Sequence, residues 1–207
     1  AGLDSDFEGG YKYLLLVRST DSAGNMQSVL TPAISSMVVT VDKLPPVSTF
    51  VFPDDDSDGS SGRYRSTTVG KAGSKFRGTA RDDGYPANNS GVVAANIRVS
   101  YLLAGDTWYW QGGVAYSSGA AAAVAGWKSA PVSGSAPTWS WDYLTDVNFP
   151  AGDREYRAEV LALDDARQSD DGGLGNAESI LTSGVNFRHF IIDDSTPSVL
   201  ITTPSAS

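Results

Sequence analysis

Apolar and polar residues alternate along much of this chain with a period of two. Tyr13, Leu15, Val17 and Ser19 occupy every second position and run to Asp21, and Tyr156, Ala158, Val160 and Ala162 run in the same way to Asp164. Side chains on a strand point alternately to opposite faces, so each set predicts a half-buried strand with one face on a core. A further strand is predicted after each, over 35–41 (SSMVVTV) and 186–192 (NFRHFII). Proline follows both within a few residues, which removes a ladder donor and stops the pairing. Between the two sets, strands are predicted over 47–52, 75–80, 95–104, 107–111 and 138–143, each bounded by Gly, Pro, Asn or Ser. No segment sustains a 3.6-residue period. The alanine run in 118–130 has glycines and serines around it and reads as a loop with room for one helical turn.

The two alternating sets belong to an internal repeat. TVDKLPPVSTFVFP at 40–53 matches IIDDSTPSVLITTP at 191–204, pairing Asp42 with Asp193, Pro46 with Pro197 and Pro53 with Pro204 at an offset of 151. Gly24 and Asn25 match Gly175 and Asn176 at that offset, whereas Tyr13, Val17 and Asp21 match Tyr156, Val160 and Asp164 at 143. The difference is an eight-residue insertion after Asp164, where a tight turn has grown into a longer acidic loop. The repeat divides the chain into 1–43, the last two strands of one unit; 44–194, a complete unit; and 195–207, the first strand of another.

Composition supports strands and turns over helices. The 24 acidic residues comprise 20 Asp and only 4 Glu, beside 22 Gly and 10 Pro, and Asp, Gly and Pro favour turns over helix interiors. With 41% hydrophobic residues the chain has enough apolar surface for a core. A net charge of -9 argues against nucleic acid and anionic membrane surfaces as partners, because both need a positive footprint. No apolar stretch is long enough to predict membrane insertion. The absence of cysteine excludes disulfides, thiol catalysis and zinc–thiolate sites, and leaves cytosolic and extracellular settings both open.

The segments FRGTARDDG, SGVVAANIRVSYLLAGDTWYWQG, TWSWDY, YRAEVLALDD, the GN pair and FIIDDSTPSV resemble the bacterial immunoglobulin-like repeats of very large cell-surface and secreted proteins. The resemblance covers nearly the whole chain. It implies an all-β fold of immunoglobulin-like β-sandwich repeats in tandem, an extracellular or cell-surface location, and Trp residues that pack between sheets. It departs from the pattern at the insertion after Asp164, at the Asp-rich loop after Pro53 and in the Ala/Gly/Ser segment near 120. Such repeats serve as stalks, adhesin spacers, filament material and accessory modules, so fold alone does not decide among them.

The sharpest candidate for chemistry is PDDDSDG at 53–59. Asp54, Asp56 and Asp58 alternate and Gly59 permits a sharp turn, as in the first half of a calcium loop. The twelfth position, which should be a bidentate acid, is Arg65, so a solvated acidic loop is the competing reading. Asp164, Asp165, Asp170 and Asp171 form a second acidic stretch that offers a cation site, with a flexible surface insertion as the favoured reading because Gly172 and Gly173 follow. His189, the one histidine, falls on the face opposite Phe190 and Ile192, which argues against a Ser-His-Asp triad. Glu155 and Glu159 on one strand do not suggest paired glycosidase carboxylates. Trp108 with Trp110, and Trp139 with Trp141, each share a strand face: exposed, they would stack on sugar rings; buried, they are packing residues. Asn88-Asn89-Ser90 is a minimal glycosylation sequon.

The expectation is therefore a non-enzymatic structural segment (stalk, fibre or filament) whose partners are copies of itself or neighbouring repeats of the same polypeptide. The alternatives are an adhesive or glycan-binding module and an accessory domain of a secreted enzyme.

Overall fold

The computed structural model describes residues 7–59, 61–82, 84, 88–143, 146–166 and 175–199. They form a two-stranded hairpin and two larger sheets that share one core, a sandwich-like all-β arrangement.

The hairpin pairs β1 (Lys12–Leu16) antiparallel with β2 (Ser36–Thr40), placing Tyr13 opposite Val39. The four-stranded sheet has the order β10 (Val132–Ser135), β11 (Thr138–Tyr143), β5 (Phe76–Arg81) and β3 (Val47–Phe52). The larger sheet runs β4 (Arg63–Tyr64), β13 (Phe187–Ile192), β12 (Arg154–Asp164), β6 (Val92–Leu103), β7 (Asp106–Gly112) and β8 (Ala115–Ser118), with β9 (Lys128–Ala130) also on β6. Of the strands expected before residue 193, those over 47–52 and 138–143 have the same bounds and the others lie within a few residues of their expected positions. Within 118–130, expected as a loop with room for one helical turn, Ala120–Ala125 forms a six-residue helix, α1, and the unexpected strand β9 follows it.

The alternation expected for β12 is present. Tyr156, Ala158, Val160 and Ala162 are buried, opposite Phe50, Phe76, Trp141 and their neighbours from the smaller sheet. Phe76 meets Phe190 at 5.9 Å between ring centroids, and Phe50 meets Trp141 edge to face at 5.2 Å. Gly78 makes the second contact possible. It pairs with both Trp141 and Phe50, and a Cβ there would run into the Trp141 indole and the Thr49 carbonyl oxygen.

A buried carboxylate joins the sheets. Glu178 accepts from the Ser48 amide and hydroxyl on β3, from the Ala162 amide on β12 at 3.0 Å, and from the Asn186 side chain at 2.7 Å. With its donors supplied from three directions, the charge is tolerated in the interior.

Candidate functional site

The two copies of the sequence repeat share a set of hydrogen bonds. Asp21 Oδ1 accepts from the amides of Ala23 and Asn25, and its Oδ2 from the Asn25 side chain. Asp164 Oδ1 accepts from the amides of Ala166 and Asn176, and its Oδ2 from the Asn176 side chain. Bridges Thr20 to Met26 and Leu163 to Ala177 follow, and the turn before the second strand has its positive φ at Ala33 in one copy and at Gly184 in the other. Glycine adopts that conformation freely, whereas alanine bears a strain of about 1 kcal/mol.

The surroundings of the copies differ. Val160 and Ala158 are fully buried, while their counterparts Val17 and Leu15 are 68% and 37% exposed. In the second copy β6 pairs with β12, β4 pairs with β13, and β3 packs across both. Among the described residues, β1 and β2 pair only with each other.

Asp42 fixes the junction between hairpin and sandwich. Its Oδ2 accepts from the Ser90 amide at 2.7 Å and hydroxyl at 2.8 Å, its Oδ1 from the Leu44 amide, and its carbonyl from the Asn176 side chain. Carboxylate oxygens of Asp42, Asp82 and Asp164 lie within 4.8 Å of one another, and these are the described residues whose geometry could hold a cation. Burial, with the Asp42 charge adding to it, pushes the Asp164 carboxyl above the usual aspartate range against the pull of its hydrogen bonds. The sequence offered Asp164 for a cation with Asp165, Asp170 and Asp171, and its grouping with Asp42 and Asp82 was missed because the three lie on distant segments.

Asp54, Asp56 and Asp58 do not form such a trio. Asp54 accepts from the Tyr64 hydroxyl at 3.0 Å, and Asp56 pairs with Arg63 at 3.3 Å. Burial, ahead of the Asp54 carboxylate, pushes the Tyr64 hydroxyl up to about 12. The neighbouring Asp55 accepts from the His189 amide, so the loop is tied to β13. In the second acidic stretch, Asp170 and Asp171 lie outside the described residues. So do 200–207 of the expected final strand, and its described part, 195–199, carries no strand.

Trp110 and Trp141 are buried, and Trp108 and Trp139 pack against the core. The row of exposed tryptophans needed for stacking on sugars is therefore absent at these positions. Asn88 donates its side-chain amide to the Gly10 carbonyl at 2.7 Å, so the sequon asparagine is engaged across the junction. His189 does lie on the outer face of its strand, as expected, with Nδ1 2.5 Å from Glu155 Oε1.

Compared with models of known protein families, with curated proteins and with solved structures, the chain matches none of them.

Proposed function

We propose that this chain is a non-enzymatic structural segment of an extracellular or cell-surface array of immunoglobulin-like β-sandwiches in tandem. Residues 1–43 are the closing hairpin of one repeat, 44–194 a whole repeat and 195–207 the opening of the next. The observation that carries this reading is the duplicated hairpin: one bonding pattern, with its apolar face buried in the second copy and open in the first. An exposed face of Leu15, Val17 and their neighbours calls for cover. In the second copy, strands of the same repeat supply that cover.

Stiffness is the property such an array contributes. The junction supports it, since the four hydrogen bonds on Asp42 hold the linker to Ser90, Leu44 and Asn176, and a linker this short and proline-bound does not behave as a flexible tether. The partners are neighbouring repeats of the same polypeptide or further copies of it.

Electron microscopy of the protein from its native source tests the reading. Rods of beads are expected, spaced by roughly the length of β6, which is about 40 Å for a strand of this size. Isolated particles without an axial repeat would overturn it.

A further inference from the structure

The outer face of the larger sheet holds a groove of about 510 Å³ that the architectural reading does not use. Across it, His189 on β13 stands beside Arg157 on β12, which stands beside Ser100 on β6 and then Tyr109 on β7. In the adjacent row Phe187, Glu159 and Arg98 are neighbours.

The carboxylates of the groove are engaged in place. Glu159 takes a charge-assisted contact from Arg98 at 2.6 Å and another from Arg157 at 2.7 Å, and Glu155 meets His189. Arg154 also lines the groove, with its guanidinium 4.5 Å from the Tyr101 ring centre, so what faces the ligand is a mixed set of donors and acceptors, three guanidiniums and two carboxylates, rather than a field of one sign.

The polar groups are also held in position. The Arg98 guanidinium lies 4.3 Å from the Trp127 ring centre and 5.0 Å from that of Tyr109, and Arg157 lies 4.3 Å from Phe187. A side chain already fixed by stacking and an ion pair loses little rotamer freedom on binding. Beside this polar row, Leu102 and the Tyr109 ring supply an apolar surface, and the volume is that of a small-ligand site.

An extended peptide is a poor occupant. β7, β6, β12 and β13 are each hydrogen-bonded on both sides, so no free strand edge opens into the groove for strand addition. A hydroxyl, by contrast, both donates and accepts, so a ring bearing adjacent hydroxyls satisfies neighbouring guanidinium and carboxylate groups at once.

We propose that this groove binds a neutral glycan. Arg157, Glu155 and His189 hydrogen-bond to adjacent hydroxyls of a pyranose ring, and Tyr109 and Leu102 cover its C–H face. The site uses the face of β7 opposite Trp108 and Trp110, the residues that the sequence suggested for sugars, and it does not depend on the tandem architecture.

Amide NMR spectra of the 207-residue chain, titrated with maltose, cellobiose, lactose, chitobiose and mannobiose, provide the test. At least one sugar should shift the signals of Tyr109, Arg157 and His189, with a dissociation constant in the millimolar range, on the order of a single neutral sugar site. Glu155→Ala removes a side chain that is 62% exposed and should weaken binding about fivefold or more while the spectrum stays dispersed. His189→Gln should do the same, and Ser140→Ala on the opposite sheet should change nothing. Absence of groove shifts with all five sugars up to about 50 mM would overturn the proposal. It would equally be overturned if groove shifts followed only an acidic peptide of residues 53–59, which would make the groove a seat for a second copy.

Discussion

Asp164 holds Asn176 through both carboxylate oxygens, at 2.6 Å to the backbone amide and 2.8 Å to the side chain, and an eight-residue insertion separates the pair without disturbing the clasp. Asp21 holds Asn25 in the same way at the surface. The bonds are alike while the solvation differs, so the two carboxyls shift in opposite directions. The Asn25 side chain leads the lowering at Asp21, whereas burial leads the raising at Asp164.

Carboxyl-detected NMR across an acid titration should therefore find Asp21 titrating below an ordinary aspartate and Asp164 above one. For Asp21 the folded value is depressed, so its contribution to stability is present above the unfolded value near 3.8 and is lost as pH falls through the folded one. For Asp164 the folded value is raised, so its contribution is present below the unfolded value and is lost as pH rises through the folded one. Both groups titrating on the same side of the ordinary value would contradict the assignment of burial as the cause.

Glu178 and Gln27 are counterparts in the repeat, each following the Asn of its clasp by two residues. Glu178→Ala leaves the Ser48, Ala162 and Asn186 donors buried without an acceptor and should cost on the order of 3 kcal/mol. Gln27→Ala, at a site without those partners, should stay within about 0.5 kcal/mol. Urea unfolding of both variants measures the contrast. Equal losses would mean that the hairpin is packed in solution as tightly as the sandwich.

The same logic applies to the apolar face. Val160→Ala should lose about 1.5 to 3 kcal/mol, as expected for a buried valine with a cavity left behind. Val17→Ala, at a mostly exposed counterpart, should lose little. Thermal unfolding of the two variants at several protein concentrations checks this. A concentration-dependent loss at Val17 alone would show that a second copy covers the hairpin.

The long strands were legible because each carries its own period-two pattern and packs one face on the core. β4, β8, β9 and β10 are two to four residues long and owe their pairing to neighbouring strands, which no local pattern announces. Helix α1 is too short to be stable alone, and Gln111 reaches its Ala122 carbonyl to support it. Sites were less legible than strands. Arg98 and Glu159 are 61 residues apart in sequence and meet only once β6 is known to lie against β12. Asp54, Asp56 and Asp58 alternate as a calcium loop does, but sequence spacing does not reveal that Arg63 reaches back to Asp56.

That pair sets an expectation for metal. Bringing calcium to Asp56 would have to displace a guanidinium at 3.3 Å, and Tyr64 already occupies Asp54. A further constraint is that Asp55 is committed to the His189 amide, so the loop is not free to wrap its carboxylates around one ion. Titrating chelator-treated protein with calcium should therefore leave the carboxyl signals of Asp54, Asp56 and Asp58 unmoved. Arg63→Ala removes the competing cation and is the variant in which calcium has the best access to this loop. If the unaltered protein shifts at all three aspartates and gains melting temperature with calcium, the loop is a metal site and the Arg63 contact is one that the ion displaces.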